Sequence, residues 1–251
     1  MQSDHELAAE LATQSGQQLL ALRAGDREPG ELRKAGDRSS HEFLSAGLAR
    51  FRPGDCVLSE EGRDDPARLA AGRVWIVDPL DGTREYGEPG RTDWAVHVAL
   101  WEHGELTAGA VALPAQGKVL STLDPPSRPA QRGAPAARVR IVVSRTRAPR
   151  LVQDISDLIG AELIPLGSAG AKVAAVVGGQ AEAYVHAGGF YEWDTAAPVA
   201  VARAGGFHAS RLDGSPLAYN QADPKMPDIL VCVPALAGAL LQAIREVANA
   251  L

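Results

Sequence analysis

The stretch that most constrains this chain is Val74-Trp75-Ile76-Val77-Asp78-Pro79-Leu80-Asp81-Gly82-Thr83. An apolar strand runs straight into two carboxylates three residues apart, held in a turn shaped by proline and glycine. Side chains alternate along a strand, but Pro79 and Gly82 bend the chain enough for Asp78 and Asp81 to converge. The Leu80 carbonyl between them can point the same way. Gly82 leaves room for a ligand oxygen, backbone N–H groups there can form an anion nest, and Thr83 adds a hydroxyl. Hard oxygen donors in such a cluster suit Mg²⁺ or Mn²⁺ rather than zinc. The plainer alternative is a strand that ends in an Asp-Gly turn.

Two further acidic stretches bear on that choice. Cys56-Val57-Leu58-Ser59-Glu60-Glu61 is again an apolar strand that delivers carboxylates at its end, with Arg63, Asp64 and Asp65 allowing a solvated loop instead. Glu192-Trp193-Asp194-Thr195-Ala196-Ala197 places an aspartate where a helix begins, either as a simple N-cap or presenting an oxygen to a metal. Two carboxylates about 4 Å apart repel by about 4 kcal/mol at an effective dielectric of about 20. A cluster of four is therefore unfavourable as a structural device alone and makes sense once divalent cations neutralise it.

The rest of the chain supplies the frame. Ser3 and Glu6 form a capping box ahead of Leu7, Leu11, Leu19 and Leu22, which predicts a helix over about 3–23. A second helix is expected over 37–51, stopped by Pro53-Gly54, with short strands at 56–59, 73–77, 94–100, 106–111 and 118–122. Beyond a proline-rich stretch, strands at 138–144, 162–166, 181–185 and 229–233 alternate with helices at 150–159, 169–177, 194–203 and 235–250. Hairpins early and alternating β and α later predict an α/β (α+β layered) fold of helices and two sheets. The predicted organisation is an N-terminal α+β subdomain over 1–125, a linker over 126–137 and a C-terminal α/β subdomain over 138–251.

Charge and motif content exclude several classes. With 25 Lys plus Arg against 31 Asp plus Glu, the net charge of −6 argues against gripping polymeric nucleic acid or an anionic membrane. A small phosphorylated ligand stays open, since bound cations can carry the positive charge locally. Cys56 and Cys232 form no Cys-x-x-Cys pair, which predicts neither a disulfide framework nor a zinc site and points to a cytoplasmic location. The opening residues lack a basic segment before an apolar one, so no cleaved leader is expected. The uncharged run Ile229–Ile244, interrupted by Pro234 and Gly238, is too short to suggest a membrane span. Neither a dinucleotide-binding glycine motif nor a P-loop is present; His41-Glu42 meets Ser45 where a zincin would have its second histidine; and Gly167-Ser168-Ala169-Gly170 is misspaced for a nucleophile elbow.

Glu60-Glu61, Asp78-Pro79-Leu80-Asp81-Gly82-Thr83 and Trp193-Asp194-Thr195-Ala196-Ala197 together resemble the inositol monophosphatase superfamily of lithium-sensitive, Mg²⁺-dependent phosphatases, over about 37–220. The resemblance implies an αβαβα sandwich. It implies that Glu60, Asp78, Asp81, Asp194 and the Leu80 carbonyl hold two or three Mg²⁺, with Mn²⁺ as a substitute. It also implies that Thr83 and Asp37 polarise the attacking water; the alternative for Asp37 is the N-cap of the second helix. Arg84-Glu85-Tyr86, with Trp94-Ala95-Val96-His97-Val98-Ala99-Leu100, resembles the 3'(2'),5'-bisphosphate nucleotidase, or CysQ, branch. That implies hydrolysis of adenosine 3',5'-bisphosphate (PAP) to AMP, with 3'-phosphoadenosine 5'-phosphosulfate (PAPS) as a further substrate, in sulfur assimilation. Inositol monophosphatase or fructose-1,6-bisphosphatase activity and a non-catalytic sensor of metal or phosphate ligands are the alternatives. Gly167, Ser168 and Lys172 resemble the branch's Gly-Ser-Ser-Leu-Lys with one extra residue, and are read, with Glu60, Leu80, Asp81, Gly82, Thr83 and Asp194, as substrate contacts. Arg211 is a further phosphate candidate; Phe190, Tyr191 and Trp193 are either base contacts or core; His97 is read as a core histidine. A monomer or homodimer is expected.

Overall fold

The computed structural model describes residues 2–127, 138–146 and 148–250. Most of the predicted linker, residues 128–137, lies outside the described residues.

The first sheet has five strands, β1 (Cys56–Ser59), β2 (Arg73–Asp81), β3 (Ala95–Glu102), β4 (Glu105–Leu113) and β5 (Lys118–Ser121), in that spatial order. β1 runs parallel to β2 and all later pairs are antiparallel. The two-residue alternation divides these strands between two cores. Trp75, Val77, Val96, Val98 and Leu100 face one side, where they pack against Leu7, Leu11 and Leu19 of α1 (Asp4–Arg23) and Leu44 and Leu48 of α2 (Pro29–Phe51). Val74, Ile76, Ala95 and Ala99 face the other, where they meet the helices of the middle layer.

That middle layer consists of two helices, over Ala169–Val177 and Glu192–Ala204. Chain order leads to it through the short α3 (Thr83–Gly87), then β6 (Arg140–Ser144), α4 (Arg150–Ile159) and β7 (Glu162–Leu166), followed by α5 (Ala169–Val177), β8 (Ala183–Tyr191) and α6 (Glu192–Ala204). The chain closes with β9 (His208–Ser210), β10 (Lys225–Cys232) and α7 (Pro234–Ala250). The second sheet has the order β7-β6-β8-β10-β9, with β6 parallel to both neighbours and the remaining pairs antiparallel. Its inner face gives Tyr184, Ile229 and Val231 to the same core as Val173 and Val176 of α5 and Val199 of α6. Its outer face is covered by α4 and α7 through Val152, Ile155, Leu240 and Ile244. The layers are therefore α1/α2, sheet, α5/α6, sheet, α4/α7, which is the expected αβαβα order.

Most element boundaries agree with expectation to within two or three residues; the exceptions matter for the site. The capping box forms as read, with Ser3 Oγ accepting the Glu6 N–H at 3.2 Å and the Glu6 carboxylate accepting the Ser3 N–H at 2.7 Å. The second helix, expected from Asp37, starts at Pro29. Proline at the first helical position loses no hydrogen bond there, so Pro29-Gly30 opens the helix instead of blocking it. Asp37 is consequently inside α2 and caps nothing. β2 continues through Asp81 rather than ending at Val77, and β8 and β10 are longer than expected. Among the described residues no helix is long and apolar enough to cross a membrane. Both cysteines are free thiols.

Candidate active site

β2 pairs regularly with β3 from Arg73 opposite Glu102 to Asp78 opposite His97, slips, and resumes with Asp81 opposite Ala95. In a regular strand, positions 78 and 81 would face opposite sides. The irregularity at Pro79-Leu80, where proline has no N–H to give the ladder, turns them toward each other. One ligand atom each of Asp78, Asp81 and His97 lies within 4.8 Å of the others, and all three residues are buried. The Asp78 carboxylate accepts the Leu80 N–H at 3.0 Å, closing the turn from inside. From outside, the Pro79 carbonyl accepts Ser40 Oγ at 2.6 Å, and Ser15 Oγ lies 2.6 Å from Ser40 Oγ, which pins the turn to α2 and α1.

Gly82 follows with φ +84°, a left-handed conformation that favours glycine, and α3 starts from it. The Thr83 hydroxyl lies 3.0 Å from the Leu80 carbonyl and 3.3 Å from Asp37 Oδ1, so its one proton has two acceptors. Asp37 reaches this hydroxyl from the interior of α2. Its carboxyl is pushed up to about 6, by burial first and the charge of Glu61 next.

The parallel pairing of Ser59 with Val77 carries Glu60 to the side of Asp78, and the two carboxyls act on each other. Glu60 is exposed as a residue, yet its carboxyl sits among enough protein for desolvation to lead its rise to about 7; Asp81, Glu61 and Asp37 add repulsion. Asp78 is pushed well above the usual carboxylate range by burial, then by Glu60, Asp81 and Asp194. Asp194 rises to about 8 through burial and then the charge of Asp81. The charges of Glu60, Asp78, Asp81 and Asp194 thus act on one another, and of these Asp78 and Asp81 are the two whose ligand atoms fall in the 4.8 Å group.

Asp194 is the third residue of α6, not its N-cap, and its Oδ2 accepts the Tyr191 N–H at 2.6 Å. The turn before it is anchored by groups that sequence reasoning missed. Glu192, fully buried, accepts the N–H groups of Asn220 (2.6 Å) and Gln221 (2.7 Å). Arg68, 1% exposed, holds Asn220 Oδ1 at 2.7 Å, the Gln221 carbonyl at 2.8 Å and Asp64 at 2.7 Å. Arg68 follows the polar run Arg63-Asp64-Asp65, and nothing local in the sequence signals that two of its partners, Asn220 and Gln221, lie about 150 residues away.

Asp81 is tied to α5 through its Oδ2, which accepts Ser168 Oγ at 2.5 Å and the Gly170 N–H at 2.8 Å. Ser168 Oγ in turn accepts the Ala171 N–H at 3.0 Å, although the residue sits at φ +32°. Gly167, Ser168 and Lys172, read as substrate contacts, are here bonded to groups of the protein itself. The N–H of Gly167 goes to Asp93 at 2.6 Å, Ser168 serves Asp81, and Lys172 Nζ donates to the carbonyls of Gly167 and Ser168, both at 2.8 Å. The extra residue before Lys172 puts it four positions after Ser168 on α5, where the side chain folds back over its own turn. Arg211 is likewise engaged elsewhere, in a two-bond pair with Asp228 at 2.7 and 2.8 Å. Phe190 is buried in the core, whereas Tyr191 and Trp193 stack face to face with centroids 4.7 Å apart. His97 is buried as expected, but its Nε2 lies 3.2 Å from Asp81 Oδ2, a contact that its strand position did not signal.

The donor set is hard, anionic and crowded, and the ammonium of Lys172, whose charge bears on Asp81 and Asp194, is directed at backbone carbonyls. Such a set fits a hard divalent cation.

Comparison with known proteins bears on the same residues. The model of the inositol monophosphatase family matches residues 4–248. The chain is 50% identical over 256 aligned positions, covering 98% of it and 94% of the relative, to the 3'-phosphoadenosine 5'-phosphate phosphatase of Mycobacterium leprae. It is 32% identical over 196 positions, 74% of this chain and 78% of the relative, to the 3'(2'),5'-bisphosphate nucleotidase CysQ of Escherichia coli. The crystal structure of CysQ from Bacteroides thetaiotaomicron, described as a bacterial member of the same family, superposes with a TM-score of 0.79 at 28% identity, over 93% of this chain and 98% of that one. With a five-layer fold, a bulged strand that gathers its acidic groups and a family match over almost its whole length, the chain belongs to the inositol monophosphatase family.

Proposed function

We propose that this chain is a Mg²⁺-dependent phosphatase that hydrolyses 3'-phosphoadenosine 5'-phosphate to AMP and phosphate, with PAPS as a further substrate. The chemistry is carried by one observation, the convergence of Asp78 and Asp81 beside a Thr–Asp pair, with the charges of Glu60 and Asp194 bearing on them. The substrate is supported by the 50% identity to a phosphatase of that name.

Glu60, Asp78, the Leu80 carbonyl, Asp81 and Asp194 would hold two or three Mg²⁺, with Mn²⁺ as a substitute. When bound, Mg²⁺ supplies the positive charge that acidifies water and offsets the charge on the phosphate and the leaving oxygen. The protein's own part is orientation and proton transfer. Thr83 Oγ takes a proton from the attacking water as its own passes to Asp37, whose raised pKa suits an acceptor near neutrality. The new P–O bond forms in line as the bond to the ribose oxygen breaks, and that oxygen takes a proton from solvent. No phosphoenzyme is required.

The site takes Asp81 from the first sheet and Asp194 from between the sheets, which supports treating 1–125 and 138–251 as two subdomains that meet at it. Two free thiols support a reducing, cytoplasmic setting.

The test is phosphate release from 3'-phosphoadenosine 5'-phosphate beside myo-inositol 1-phosphate, with and without Mg²⁺, for the wild type and Asp81→Asn. Mg²⁺-dependent release with preference for the nucleotide, lost by orders of magnitude in the folded variant, is expected. A preference for inositol phosphate would overturn the substrate, and wild-type turnover in Asp81→Asn would overturn the site.

A further inference from the structure

Arg68 stands in the short helical turn Pro66–Ala70, after the loop that opens with Glu60, and it is buried although arginine seldom is. Its fork divides between two segments of the chain. Nε and Nη2 donate to the two carboxylate oxygens of Asp64, at 2.7 and 3.1 Å, inside the Glu60 loop. Nη1 donates to Asn220 Oδ1 at 2.7 Å, and Nη2 to the Gln221 carbonyl at 2.8 Å. Asn220 returns the pairing, since its Nδ2 donates to the Arg68 carbonyl at 3.1 Å. An amide can both accept from the guanidinium and donate to the carbonyl, and asparagine also tolerates the left-handed backbone found there, φ +59°. The N–H groups of Asn220 and Gln221 then end on the Glu192 carboxylate, at 2.6 and 2.7 Å, two residues before Asp194. Every link from the Glu60 loop to the start of α6 is thus a formed hydrogen bond, and none of these residues is one of the four carboxylates of the cluster. A guanidinium is costly to desolvate, and well-packed apolar side chains of similar volume commonly hold such places with no loss of stability. An apolar side chain could not tie the two segments at a fixed separation.

We infer that Arg68 is a positioning residue of the acidic cluster: it ties the loop that opens with Glu60 to the turn that carries Asp194, and so fixes these two carboxylates relative to each other. The inference rests on the reading of that cluster as the cation site. Groups behind metal ligands alter metal affinity without touching the ion, by about 10- to 100-fold when removed, and Arg68, acting through a backbone turn, belongs at the lower end.

The test is calorimetric titration of Mn²⁺ into the wild type, Arg68→Met, Asn220→Gly and Asp194→Asn, with circular dichroism establishing that each is folded. Arg68→Met is expected to bind Mn²⁺ about 10-fold more weakly and to need correspondingly more Mg²⁺ for half-maximal phosphate release. The direction is diagnostic, because removing a positive charge would by itself tighten cation binding. A space-filling role alone would lower melting temperature and leave the Mn²⁺ affinity of the folded protein unchanged. Asn220→Gly keeps the guanidinium and its charge, suits the left-handed backbone and cuts both side-chain bonds. Its affinity should fall in the same direction by less, since the Gln221 carbonyl is still held. Should Arg68→Met fail to fold, Asn220→Gly decides. Unchanged or tighter Mn²⁺ binding in the deciding variant, with binding weakened in Asp194→Asn, overturns the role of Arg68 alone. Wild-type binding in Asp194→Asn overturns the cluster reading and this inference with it.

Discussion

Replacing Ser168 by alanine removes two bonds at once. The hydroxyl caps α5 by accepting the Ala171 N–H and donates to Asp81 Oδ2 at 2.5 Å. Loss of such a cap costs about 1 kcal/mol. The bond to the carboxylate adds about 1.5 kcal/mol, the low end for a charged acceptor, because the Gly170 N–H remains on the same oxygen. Together these give about 2–3 kcal/mol, or about 5–10 °C in Tm for a chain of this size. Ser168→Gly separates the terms. Glycine at an N-cap costs only about a few tenths of a kcal/mol, and it releases about 1–3 kcal/mol of strain from a residue held at φ +32°. Thermal denaturation followed by circular dichroism in EDTA should therefore rank Ser168→Gly above Ser168→Ala, with both variants needing more Mg²⁺ than the wild type. A Ser168→Ala protein that melts within about 1 °C of the wild type, or a Ser168→Gly protein that melts below Ser168→Ala, would refute this reasoning.

Two other expectations concern charge and substrate. Asp37, Glu60 and Asp194 are raised from 3.8, 4.5 and 3.8 to about 6, 7 and 8, so their protonated forms are favoured in the folded state. Without cations, stability should fall as pH rises from the ordinary carboxylate range through about 8, and saturating Mg²⁺ should remove the fall. Melting curves from about pH 5 to about pH 8.5 in EDTA should show a shallower decline for Asp194→Asn; identical slopes would count against the coupling. Tyr191→Ala exposes one face of Trp193 and removes an exposed ring beside Asp194. If this pair receives the adenine, KM for the nucleotide should rise by about 10-fold, in line with about 1–3 kcal/mol for base stacking, while KM for an inositol phosphate stays put. An equal rise for both substrates would place the base elsewhere.

The acidic cluster was legible because each carboxylate rides on a local signal. Asp78 and Asp81 follow an apolar strand, Glu60 follows another, and Asp194 opens a helix. The layered architecture was legible for a similar reason, since strand alternation and helix periodicity act over a few residues. What escaped depends on contacts between distant segments. Pro29-Gly30 looks like a break in isolation, and only the burial of Leu32 against the first core shows that α2 runs through it. The bonds of Lys172 Nζ to the Gly167 and Ser168 carbonyls follow from the fold of that turn and have no local signal. Arg68 and His97 each meet partners about 100 or more residues away, and no spacing rule connects them. The pins Ser15 and Ser40 are small residues on helices, distinguished from their neighbours only by the chain of bonds from Ser15 to Ser40 to the Pro79 carbonyl.

Crystals soaked in Mn²⁺ and measured at the manganese absorption edge test the central claim most directly. The account predicts anomalous peaks within coordination distance of Asp78 and Asp81, with Glu60, the Leu80 carbonyl and Asp194 completing the shell. A map with no peak at that position under saturating Mn²⁺, or with its only peaks on unrelated surface carboxylates, would contradict it.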